Sequence, residues 1–186
     1  MAVQETSMRK AARYAVFSTI GLLCTAQEMM AAILEDIEGA EPELVAEETL
    51  GLVSIATTRA AEFSLREQPE IASALLPAMA ELPFMYRDYL IGSALLSGED
   101  EALVDSDRQV YERLKRKCEF YDVHLPRGQI PGERVLADKM ALWMGRISPP
   151  GLPEKPVQRL ERLELVPLLL THLKMVLAFG RHDEPQ

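Results

Sequence analysis

The sequence predicts an all-α fold, an irregular bundle of six or seven helices with two proline-rich inter-helix loops. Three observations predict it. Hydrophobic residues make up 48% of the chain but aromatics only 6%, so the core must be built from Leu, Ala, Val, Ile and Met, which suits helix-on-helix packing. Apolar residues recur at helical rather than alternating spacing over long stretches. Prolines and glycines fall where those stretches end. The 186 residues fit one domain, expected over 1–180 with a polar tail at 181–186.

The first helix is expected over 7–38, capped by Ser7 and ended by Gly39. Val16, Ile20, Leu23, Met30, Leu34 and Ile37 give it a wide apolar face suited to the middle of a bundle. Pro42 reads as the first-turn proline of a second helix, with Glu43, Glu47 and Glu48 at its positive end. The uncharged run 49–58 is rich enough in β-branched residues to admit a strand. Ala60, Ala61 and Phe63 continue it at helix spacing, so helix is expected. Gly21, Ala26 and Ala31 would face Gly51, Ser54 and Ala56, letting the first two helices approach closely.

Pro69 and Glu70 open a short third helix that Pro77 should break or kink. Pro83 opens another, and 97–100 matches a helix start, a polar cap with an acid three residues on. The helix after it carries Leu103, Val110, Tyr111, Leu114, Cys118 and Tyr121 on one side. Arg108, Arg113, Lys115, Arg116 and Lys117 form its other face. Val135, Leu136, Met140, Trp143 and Ile147 mark the next helix.

Six of the twelve prolines fall at 126–156, in stretches 124–133 and 148–156 on either side of Trp143. Proline fixes φ and removes a donor, so these are stiff, shaped loops. The last helix is expected over 156–179, bent at Pro167. Leu163, Val166, Leu170, Leu173 and Leu177 repeat at heptad spacing along it, and with Leu165, Leu168, Leu169 and Val176 it is apolar nearly all round. Such a helix is central in the monomer or shared with a partner.

Charge is uneven. Residues 28–107 hold eighteen acids and three bases, whereas 108–146 hold nine bases and five acids. The overall net charge of −9 argues against a dedicated nucleic-acid binder. Cys24 and Cys118 form no motif and read as reduced thiols of a cytoplasmic protein, the thiolate of Cys118 being somewhat favoured by the adjacent Lys115, Arg116 and Lys117. Arg9, Lys10 and Arg13 before an uncharged run give the outline of a signal peptide. The apolar periodicity runs on past Cys24, however, and Ser18, Thr19 and Gly21 interrupt the run, so a core helix and no membrane span is expected.

Chemical motifs are few. No Gly-rich phosphate loop, Cys-x-x-Cys, His-Glu-x-x-His or Gly-x-Ser-x-Gly occurs. Glu35, Asp36 and Glu38 read as a solvated acidic helix end near some base, in preference to a Mg²⁺ site shared with Glu43, Glu47 and Glu48. Cys118, Asp122 and His124 match no zinc spacing. His172 reads as a satisfied core or interface histidine.

Two functions of different classes follow. The first is a cytoplasmic interaction or regulatory protein, a homodimer formed through Leu163, Val166, Leu170, Leu173 and Leu177. The second is a small-ligand-binding bundle or enzyme, whose cofactor the sequence does not specify. Its converging proline loops would place His124, Arg127, Arg134 and Arg146 around an anion over Trp143. The basic face at Arg113, Lys115, Arg116 and Lys117 reads as a plain solvated face or a docking surface for an acidic protein, with nucleic acid the weaker alternative.

Overall fold

The computed structural model describes residues 2–85, 103–128 and 132–181, and among these every regular element is a helix. Seven are named here: α1 (Ala2–Asp36), α2 (Pro42–Ser64), α3 (Pro69–Ala80), α4 (Leu103–His124), α5 (Glu133–Ile147), α6 (Pro156–Arg162) and α7 (Leu165–Arg181). A further helical turn lies at 82–85, and the helix start expected at 97–100 falls outside the described residues.

α2 is the axis of the bundle and touches α1, α3, α4, α5 and α7. Its position explains its composition. A helix surrounded on most sides cannot carry charge at most positions, and the run 49–58 is helical because tertiary packing overrides its β-branched content. Thr49 and Thr57 turn their hydroxyls onto Val45 O and Val53 O at 2.6 and 2.7 Å, which satisfies them inside the core. Pro42 occupies the first turn as expected, and Gly39, at φ +79°, makes the left-handed turn between α1 and α2.

Several expected boundaries move. α1 already runs through Ser7, which is therefore not its cap. α3 continues past Pro77 to Ala80. Pro77 is exposed, so the Ser73 carbonyl that loses its partner faces water rather than the core. The last helix is not one bent rod but two. α6 ends at Arg162, Glu164 adopts φ +51°, and α7 restarts at Leu165 with Pro167 in its first turn, where no N–H is needed.

The two glycines of α1 and α2 do not face one another. A Cβ on Gly21 would lie 2.9 Å from the His172 ring of α7. A Cβ on Gly51 would lie 3.3 Å from the Tyr121 ring and 3.5 Å from Lys117 Cβ of α4. Each glycine makes room for one ring from a different helix.

One continuous hydrophobic cluster draws on every helix and includes Met29, Leu52, Leu75, Tyr121, Trp143, Leu160 and Leu169. At its edge, Asp36 at the end of α1 accepts from Arg162 at 2.7 and 2.9 Å and pairs with Arg159 at 3.2 Å. Two cations thus compensate a carboxylate placed at the negative end of a helix, and the hydrogen bonds from Arg162 hold the Asp36 carboxyl below its ordinary range.

Candidate functional site

Among the described residues the two proline-rich stretches are set apart, and Trp143 takes the alternative role of a core residue. The loops flank α5 at its two ends, and fifteen helical residues hold them about 22 Å apart. Trp143 faces neither: it is fully buried in the core, and its indole N–H has no hydrogen-bond partner among the described residues. His124 Nδ1 lies 2.7 Å from Phe120 O, one turn earlier on α4. Arg127 is exposed and pairs with Asp122 at 3.3 Å, and Arg134 is exposed on the first turn of α5. Of the five predicted residues Arg127 shares Asp122 with Arg59, and Arg146 joins the densest cluster of charged groups, which lies elsewhere.

The C-terminal row also turns inward. Val166, Leu173 and Leu177 are buried in the chain's own core, and Leu163 and Leu170 pack against it. α7 is therefore the central apolar helix of the two alternatives rather than a free seam. Conversely, four of the six α1 residues expected in the core face outward, whereas Ile37 is buried and Met30 packs against the core. Val16, Ile20 and Leu23 are 59%, 57% and 54% exposed, and Leu34 is exposed too. The face of α1 that packs is Tyr14, Leu22, Ala26, Met29, Ile33 and Ile37. By length and composition alone Arg9–Asp36 is long and apolar enough to cross a membrane, a test that the core helix of a soluble protein and a signal sequence also pass.

The densest polar cluster sits where α2, α4 and α5 cross. Glu47 and Glu48, in the second turn of α2, are buried. Gly51, one turn further, lets α4 come close enough to bring three side chains onto them. Arg113 Nη2 and Nε donate to Glu47 Oε1 at 2.8 and 3.1 Å. Lys117 Nζ donates to Glu47 Oε2 at 2.6 Å and lies 3.8 Å from Glu48 Oε1. Tyr121 donates to Glu48 Oε2 at 2.7 Å. From α5, Arg146 Nε and Nη2 take both Glu48 oxygens at 2.8 and 2.7 Å, and its guanidinium lies 4.3 Å from the Phe120 ring centre.

The electrostatics follow from this packing. Burial alone would raise the Glu47 carboxyl, but hydrogen bonds and charge from Arg113 and Lys117 outweigh it and the group is held below its ordinary range. Burial, the Glu48 charge and the hydrogen bond to it push the Tyr121 phenol well up. The expectation that nearby lysines and arginines favour a Cys118 thiolate is reversed. Burial first, then Glu119, Glu48 and Asp122, push that thiol up to about 12.

The basic face of α4 is thus not a plain solvated surface: Arg113 and Lys117 hold the buried glutamates, whereas Lys115 and Arg116 remain exposed. Among the described residues no three His, Cys, Asp or Glu side chains converge to hold a metal.

Two buried polar contacts were not expected. Arg59, a lone cation in an apolar stretch of α2, donates to Leu125 O at 3.2 Å and to the Asp122 carboxylate, so it closes the free carbonyl end of α4. Thr57 gives its single proton to Val53 O, so its oxygen accepts from His172 Nε2 at 2.8 Å. That assigns the His172 proton to Nε2 and leaves Nδ1 beside Gly21.

Comparison with known proteins leaves the molecule on these observations: no family model, no curated protein and no solved structure matches the chain.

Proposed function

We propose that this chain is a helical interaction protein that self-associates through the exposed face of α1, with a second copy lying antiparallel across it. The observation that carries the reading is the row Ala12, Val16, Ile20, Leu23, Gln27, Ala31 and Leu34, all exposed. Its spacing of four, four and three repeats every eleven residues. That period is close to the pitch of a straight helix, so the row stays on one side of α1 for its whole length. Charge supplies the orientation. Arg9, Lys10 and Arg13 lie at one end of the row and Glu35 and Glu38 at the other, so an antiparallel copy sets opposite charges side by side.

The four large side chains are about half exposed, worth about 1 kcal/mol each if covered. Eight in a pair give on the order of 8 kcal/mol, against an association cost of at least about 4 kcal/mol. The expected complex is therefore weak and concentration-dependent. Free thiols at Cys24 and Cys118 fit a reducing, cytoplasmic setting.

Sedimentation velocity over a wide concentration series tests the reading. The wild-type chain should shift from monomer to dimer, and the double change Ile20→Asp with Leu23→Asp should stay monomeric with an unchanged melting curve. In a Cys118→Ser background, a short bismaleimide should join the two Cys24 side chains, which an antiparallel pair centred on Leu23 puts on the same flank. A monomer at every concentration would reject the dimer, and binding to lipid vesicles by that monomer would assign the same row to a membrane surface.

A further inference from the structure

The glutamate cluster at the crossing of α2, α4 and α5 carries more positive charge than it neutralises. An open depression of about 260 Å³ lies over it, lined by Arg113, Arg116, Lys117 and Arg146. Four cations face it, and the carboxylates beneath them are Glu47 and Glu48. A neighbouring depression continues outward past Gln109, Glu112, Arg113 and Arg116. Glu112 and Glu43 lie alongside, so the excess of cations is confined to the depression itself.

The guanidinium groups are also pre-oriented. Arg113 and Arg146 each engage their glutamate through Nε and Nη2, which leaves the Nη1 donors of both without a partner among the described residues. Arg116 uses only Nε, on the Glu112 carbonyl at 3.1 Å. The buried carboxylates thus act as anchors that fix two planar forks at the rim of a depression, with a third fork beside them. Planar forks are matched to tetrahedral and carboxylate oxyanions by paired N–H···O bonds.

We infer that this depression binds a small oxyanion of the phosphate type, held by the unused forks of Arg113, Arg116 and Arg146 with Lys117 beneath. The depression admits a phosphate group with room for water or a small substituent around it, and is a little smaller than drug-sized pockets. An extended polyanion would meet the acidic remainder of the surface.

Inorganic phosphate is the probe, titrated against the full chain at constant ionic strength with chloride as the reference anion and calorimetry as the readout. Saturable one-to-one binding is expected. Arg116→Ala should weaken it by about tenfold or more, the loss of a charge-assisted hydrogen bond. Because Arg116 is exposed and holds no carboxylate, that variant should melt like the wild type. Lys115→Ala, on the same helix but outside the lining, should bind phosphate as the wild type does. Phosphate behaving like chloride, Arg116→Ala binding unchanged, or both variants weakening binding equally would overturn the site. Displacement of phosphate by a single-stranded oligonucleotide with steep salt dependence would overturn it in favour of a nucleic-acid surface.

Discussion

Gly21 and His172 show how one residue can be fixed by a contact that lies 151 positions away in the chain. The imidazole rests on the bare Cα of Gly21, and any Cβ there would lie 2.9 Å from both Nδ1 and Cε1. The ring has nowhere to go, since its Nε2 is tied to Thr57 and the residue is buried. Gly21→Ala should therefore cost about 1–3 kcal/mol through overpacking, even though alanine is the better helix former. Urea denaturation of the variant measures it, and equal or greater stability would mean that the ring moves freely. Little of this was legible in the sequence. A glycine in an apolar helix reads as a helix–helix contact, and nothing local identifies a ring as its neighbour. The ionic cluster was hardly legible: Glu47 and Glu48 read as the acidic start of a helix, and Arg113 and Lys117 as a face opposite Tyr121, whereas all three side chains reach the same two glutamates. Their meeting depended on where Gly51 lets α4 settle.

At the scale of elements, most of the helices could be read because their limits are local chemistry. Pro42, Pro69 and Pro156 each open a helix, and Gly39 closes the turn after α1. Which face of a helix turns inward is a different matter. α1 and α7 both carry apolar residues on more than one side, so periodicity alone offers two answers for each. α7 buries its heptad row against α2, and α1 leaves Val16, Ile20 and Leu23 outside. A mutational consequence separates the two helices. Leu173 is fully buried, so Leu173→Ala should cost about 2–5 kcal/mol by opening a cavity. Its folded fraction should still self-associate like the wild type, whereas the α1 aspartates should abolish association without loss of stability. Sedimentation and denaturation on the same samples give both readings. A Leu173→Ala protein that keeps its stability but loses the dimer would return the interface to α7.

Across the whole molecule, buried titratable groups make stability depend on pH in two separate windows. Burial lowers His172 to about 4 from its ordinary 6.5. The fold holds the neutral ring, while the unfolded chain takes up a proton as pH falls through about 6.5. Below that point the unfolded state is favoured increasingly, until the native ring protonates near 4. The stability held at neutral pH is thus lost between those values, on the order of 3 kcal/mol. Glu47 acts lower. Its carboxyl is held below the ordinary 4.5 because Arg113 and Lys117 outweigh its burial, so its contribution is present above that value and lost as pH falls beneath it. Denaturant midpoints taken stepwise from pH 7.5 to pH 4 should fall from about pH 6.5 downward in the wild type. In His172→Leu the upper part of that decline should vanish, leaving a nearly flat line until the carboxylates begin to protonate. The absolute midpoint of the variant is immaterial, since only the slope against pH reports the proton taken up by the unfolded chain. A variant that keeps the full slope between pH 6.5 and 4.5 would show that His172 is not the group whose protonation is coupled to unfolding.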